Sequence, residues 1–153
     1  MPEIGYPFEI EEEARVAKAT GRELRVSPKF SFEICREIKG KNLEAAKRFL
    51  EDVMAMKRPV PLKRYKKGVA HSRGLEKACA GRYPVKAASK VLEVLQSAEA
   101  NAEYKGLSKE KLYIKEMAVL KGRILRGSLA RAFGRATPHN TPTSNIQVVL
   151  AEK

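Results

Sequence analysis

Basic side chains gathered in two blocks are the residues whose types and spacing can do chemistry in this chain. The first block, residues 57–86, reads KRPVPLKRYKKGVAHSRGLEKACAGRYPVK and sets ten basic residues against one acidic. The second, residues 121–144, reads KGRILRGSLARAFGRATPHNTPTS and holds five basic residues and no acidic one. Of the net charge of +13, residues 57–86 supply +9 and residues 117–153 another +5, so the rest of the chain is almost neutral. Charge placed in this way is suited to phosphate: arginine offers a rigid fork and lysine a mobile point charge. In the first block Tyr65, His71 and Tyr83 alternate with the cations, and a ring can stack on an unpaired base. Tyr83, beside Pro84, reads instead as a ring closing the edge of the core. The KRYKK cluster at 63–67 reads as a phosphate-binding cluster.

Nucleic acid and an acidic membrane surface both attract such a chain. The basic blocks lack the amphipathic helical pattern of a membrane-surface segment. No apolar run approaches the roughly 20 residues of a membrane span, so no membrane insertion is expected. The opening MPEIGYPFEIEEEA is acidic and lacks the basic-then-apolar order of a signal peptide, which makes the cytosol the default.

Catalysis has no constellation to rest on, and an enzyme is not expected. His71 and His139 stand alone, and no carboxylate pair lies in a glycine-rich or aromatic setting. Gly122, Gly127 and Gly134 fit neither GxGxxG nor GxxxxGK[ST]. Ser89 and Ser128 have no base nearby in sequence. Cys35, His71, Cys79 and His139 are a conceivable zinc set, but no pair has ligand spacing, so no metal and no cofactor is expected. Cys35 reads as a small core hydrophobe. The acidic residues read mostly as helix surface.

The elements that must position the two blocks are legible from periodicity. A short strand is expected over 13–19, with Ala14 and Val16 on one face. Ser27 can cap, and Pro28 suits the first position of a helix over 28–39, with Phe30, Ile34 and Ile38 on one face. Gly40 ends it in the left-handed conformation. Asn42 caps a second helix over 43–56 that buries Leu43, Ala46, Phe49, Leu50, Val53 and Met54. A third helix opens at Pro84 and runs through Tyr104, burying Ala88, Val91, Leu92, Leu95, Ala98 and Ala102. Strands at 112–120 and 145–150 then bracket the second basic block, with Ile146, Val148 and Leu150 on one face and Leu112, Ile114 and Ala118 on another.

These elements make an α+β fold: three helices packed on a small antiparallel sheet, with a long protruding β-hairpin. One domain is expected over 1–153. Its globular body takes residues 1–120 and 145–153, including the basic loop 57–83, and its extended hairpin arm takes 121–144. At about twelve residues a side the arm reaches ~40 Å. It has too little apolar content to offset its ordering entropy, so it is expected to be flexible alone and ordered by a polyanion. The first two helices also resemble a helix-turn-helix. The rival reading is therefore a free nucleic-acid-binding regulator, although the second helix has a balanced polar face and no basic stripe.

In order and spacing, the motifs resemble the archaeal and eukaryotic type of the large ribosomal subunit protein twenty-two family. They are Ser27-Pro28-Lys29, EIKGK at 37–41, PVPLKRYKKGVAH at 59–71, AGRYPVKAASK at 80–90, RAFGRATP at 131–138 and IQVVL at 146–150. The resemblance covers about 26–152. It implies a structural constituent of the large subunit, cytoplasmic within that particle, that binds large-subunit rRNA, aids assembly and serves translation. Its hairpin would line the nascent-polypeptide exit tunnel. The implied partners are rRNA, the nascent polypeptide and neighbouring large-subunit proteins near the exit, with no homo-oligomer. The basic residues expected on rRNA are Lys57, Arg58, Lys63, Arg64, Lys66, Lys67, Arg73, Arg82, Lys86, Lys121, Arg123, Arg126, Arg131 and Arg135. The tip expected at the tunnel wall comprises Leu129, Ala130, Arg131, Ala132, Phe133, Gly134, Arg135 and His139.

Overall fold

The computed structural model describes residues 5–7, 15–75 and 78–152. Strand β1 (Val16–Leu24) leads to helix α1 (Pro28–Ile38), and α2 (Leu43–Met54) follows. The basic loop carries two short strands, β2 (Val60–Pro61) and β3 (Gly81–Arg82), and ends at α3 (Val85–Tyr104). A 3-10 turn at Lys109–Lys111 then feeds the long hairpin of β4 (Leu112–Leu125) and β7 (Thr141–Glu152), with β5 (Ser128–Ala130) and β6 (Ala136–Pro138) at its far end. The main sheet is antiparallel in the order β1-β7-β4.

The helices form where the apolar spacing places them. Pro28 sits in the first turn of α1, where its missing N–H leaves no bond unmade. Ser27 and Asn42 occupy the N-cap positions in extended conformation, but neither side chain caps its helix, contrary to the sequence expectation. Gly40 turns the chain at φ +80°, in the left-handed region that glycine tolerates. The second helix stops at Met54, short of 56, because Met56 itself adopts φ +56°.

The core lies between the helices and one face of the sheet. Ile34 and Ile38 of α1, Leu50 and Val53 of α2, and Val91 and Leu95 of α3 are buried against Ile114, Ile146, Val148 and Leu150. Leu92 of α3 is only partly buried, and Ala87 and Val94 take its place on the inner face. The other sheet face carries a smaller cluster of Val16, Val149 and Ala151, with Tyr6 and Tyr113 packed on it. Val16 thus faces away from the helices while Ala17 and Ala19 face them. The first strand begins at Val16 and runs on to Leu24; residues 13 and 14 of the expected strand lie outside the described residues.

One sequence expectation is overturned by a single residue. Ile114 pairs with Leu150, but the next pairs are Glu116 with Val149 and Met117 with Val148. The extra residue is a β-bulge, and it shifts the face of the residues after it as far as a second irregularity between Lys121 and Ile124. Met117 and Val119, not Ala118, therefore continue the core face begun by Leu112 and Ile114.

Candidate nucleic-acid interface

The basic loop is anchored before it is displayed. Val60 and Leu62 are buried, β2 pairs with β3, and the Leu62 N–H donates to the Ala80 carbonyl at 2.9 Å. An isolated bridge between His71 and Ala80 closes the loop further out. Glu76 and Lys77 lie outside the described residues.

At the heart of the loop is a carboxylate that the sequence reading left on the helix surface. Glu33 of α1 is 1% exposed, and its Oε1 accepts the main-chain N–H of Arg64 at 2.7 Å and of Tyr65 at 2.8 Å. Two main-chain donors converge on this one buried oxygen, so this one group fixes the KRYKK turn on α1. The sequence signal was faint: Glu33 lies three residues after Phe30 and beside Ile34, on the flank of the apolar stripe. Its partners are main-chain groups more than thirty residues away, which side-chain patterning does not reveal.

The side chains of the turn are ordered by rings. The Arg64 guanidinium lies 5.2 Å from the Phe32 ring centre and 5.7 Å from that of Tyr65. Lys29 Nζ lies 5.7 Å from the Tyr65 ring, and Phe32 and Tyr65 meet edge to face. Lys63 reaches the Glu37 carboxylate at 3.7 Å, whereas Lys66 and Lys67 make no ion pair among the described residues. Arg58 lies over the Phe49 ring at 5.2 Å. Arg64, Lys67 and Arg82 come together around one cleft; Arg82 arrives there from β3. Lys86 lies on the neighbouring cleft, together with Arg25, which the sequence reading did not single out. Tyr83 is 38% exposed and lines that cleft, so it stands at the rim of the core rather than sealing it.

The second block is a two-stranded ribbon. Pairing runs from Lys121–Ser144 through Leu125–Thr141, resumes as β5 with β6, and closes where the Arg131 N–H donates to the Arg135 carbonyl at 2.8 Å. Main-chain pairing, not apolar cover, joins the two sides of this span. Gly127 permits the close approach: a Cβ there would stand 2.8 Å from the His139 carbonyl oxygen. At the turn Phe133 and Gly134 both have positive φ, 59° and 66°, and the Phe133 side chain is fully exposed at 100%. A phenylalanine in the left-handed region costs about 1 kcal/mol.

All fourteen basic residues singled out in the sequence are exposed, and so are all eight tip residues. The helix-turn-helix reading gains no support. In α2 Lys47 is paired with Glu99 of α3, and Arg48 with Glu44 on its own helix. No cationic stripe is left on that helix to enter a groove. Cys35 is buried and Cys79 exposed, and no cluster of metal-ligating side chains occurs among the described residues.

Fold and surface together define a class: a small α+β protein that presents a cationic loop and a cationic arm. The model of the family described as ribosomal protein L22p/L17e matches residues 19–151. Similar chains include the large ribosomal subunit protein uL22 of Methanopyrus kandleri, 53% identical over 148 residues, covering 96% of this chain and 92% of that one. The protein of the same name from Archaeoglobus fulgidus is 51% identical over 149 residues, covering 97% and 96%. That from Methanothrix thermoacetophila is 52% identical over 145 residues, covering 95% of each. The chain belongs to the ribosomal protein L22p/L17e family.

Proposed function

We propose that this protein is a structural constituent of the large ribosomal subunit and not an enzyme. It binds large-subunit rRNA through its basic loop and its arm, aids assembly of the subunit in the cytoplasm, and meets neighbouring large-subunit proteins there. The arm runs inward through rRNA, and its tip, centred on Arg131, Phe133, Gly134 and Arg135, lines the exit tunnel beside the nascent polypeptide. The observation that carries the reading is the arm: a ribbon of ~40 Å with five basic and no acidic residues, its side chains mostly exposed beyond the buried Thr143 and Ser144 at its base. Its sequence offers the arm no apolar partner, while folded RNA offers phosphate on every side. Neutralising phosphates releases counterions, which drives such an arm into RNA and orders it there. The body can keep its own core, since the buried residues lie on the helices and on the sheet below the ribbon.

The test is co-sedimentation. The full-length protein is expected to run with large subunits in a high-salt gradient. A variant lacking residues 123–142 is expected to fold but to slow subunit assembly. Free migration of the full-length protein, or normal assembly with the shortened one, overturns the reading.

A further inference from the structure

The start of α1 stands between two clefts. One, of about 420 Å³, is lined by Lys29, Arg64, Tyr65, Lys67 and Arg82 among others. The other, of about 370 Å³, is lined by Arg25, Tyr83, Pro84 and Lys86 among others. Ser27 and Phe30 line both, so the first turn of the helix is the partition between them.

The two clefts repeat one chemistry. Each offers a tyrosine ring, a share of Phe30 and a rim of exposed cations, and among the described residues no carboxylate lines either. Each volume falls at the lower end of the ~300–1,000 Å³ typical of small-ligand pockets, the range suited to a single nucleotide. An aromatic floor under a cationic rim is what an unpaired nucleotide needs, with the base on the ring and the phosphate on the cations. A duplex offers no free base face and gains only the cations.

The wall on the Tyr65 side is built in advance. Glu33 holds the main chain of Arg64 and Tyr65, and the Phe32 edge and the Arg64 guanidinium pack on the Tyr65 ring. A ring already fixed loses little freedom when a base stacks on it, so more of the contact appears as affinity. Ser27 leaves its hydroxyl unused by its own helix, between the two clefts.

We propose that the two clefts form one site for two adjacent, unstacked nucleotides of single-stranded RNA, one base beside Tyr65 and the other beside Tyr83, with Phe30 between them. The site rests on the reading of the protein as an rRNA binder and adds to it the kind of RNA structure recognised: a bulge or loop with two splayed bases, rather than a plain helix.

The experiment uses the full chain and two RNA hairpins of equal length, one fully paired and one with a two-nucleotide bulge carrying 2-aminopurine. The protein has five tyrosines and no tryptophan, so the difference in tyrosine emission between the native chain and the Tyr65 or Tyr83 variants reports stacking. The bulged RNA is expected to bind about tenfold more tightly, within the range that stacking one or two bases gives. Quenching of both the tyrosine and the 2-aminopurine emission is expected with it. Tyr65→Leu and Tyr83→Leu should each remove most of that preference, weakening binding of the bulged hairpin more than that of the paired one. Tyr65→Phe and Tyr83→Phe should keep it, which separates ring loss from misfolding. Equal binding of the two hairpins overturns the site and leaves the rRNA reading standing; binding of neither overturns both. Equal competition by a polyglutamate peptide also overturns it, since charge alone would then explain the clefts.

Discussion

The Glu33 carboxylate accepts the main-chain N–H of Arg64 at 2.7 Å, so a helix of the core and the densest basic cluster share one buried group. The same Oε1 takes the Tyr65 N–H, while Oε2 has no partner among the described residues. Glu33→Ala would leave two amide donors without their acceptor and a gap beside Ile34. The expected loss is about 2–6 kcal/mol, built from two unsatisfied groups at ~1–3 kcal/mol each. Denaturant titration measures it, and a loss under about 0.5 kcal/mol, the level of a surface change, would refute the anchoring role.

The two cysteines should behave oppositely. Burial pushes the Cys35 thiol up from 9.0 to about 12, while Cys79 is exposed. The native protein is expected to react at one thiol with a disulfide reagent and at two after denaturation. The raised value also fixes a sign. Below pH 9 both states keep the proton and Cys35 adds no slope. Between about 9 and 12 the unfolded chain loses the proton and the folded chain keeps it, so stability falls as pH rises, by up to ~1.4 kcal/mol per unit. Cys35→Ala should flatten that part of the stability profile; a variant with an unchanged slope would show that another group causes it.

Much of this architecture was legible because it is written in apolar spacing. Phe30, Ile34 and Ile38, and the alternation of Ile146, Val148 and Leu150, give α1 and β7 directly. The bulge between Ile114 and Glu116 was not read, although the apolar positions shift from 112 and 114 to 117 and 119. A one-residue insertion looks like noise unless the partner strand is known. The cations of the site were legible as charge. Their arrangement was not, because Glu33 acts on main-chain groups and Arg25 and Lys29 join the clefts only through packing.

The bulge itself can be tested. Met117 packs on the core and Ala118 does not. Met117→Ala is expected to destabilise by about 1–3 kcal/mol, less than a fully buried truncation because Met117 is only partly buried. Ala118→Ser should change little. Thermal melts that reverse this order would restore the uninterrupted register.

Strand β7 should divide by dynamics along its length. At Val148 it is flanked by β1 and β4, and its side chain is buried. At Thr141 it has only β4 beside it, in a ribbon with no core. A two-stranded hairpin is marginal in water. In the free protein, amide exchange is expected to be slow over 146–150 and fast over 123–142. Adding rRNA should slow the arm and leave the body unchanged. Uniform protection of β7 without RNA would mean that the ribbon needs no polyanion.

Not all cations of the KRYKK turn should count equally. Lys63 is shared with Glu37 and Arg64 is held over two rings, while Lys66 and Lys67 make no ion pair among the described residues. Each phosphate contact contributes about 0.7–0.9 to the slope of log affinity against log salt. Lys66→Gln with Lys67→Gln is therefore expected to lower the slope by up to about 1.4–1.8. Lys63→Gln should lower it less, because that lysine already shares its charge with the Glu37 carboxylate. Arg64→Gln should change both slope and stability, since the guanidinium packs as well as binds. Salt titrations of rRNA-fragment binding separate these cases. An unchanged slope for the Lys66/Lys67 double variant would remove phosphate from this turn.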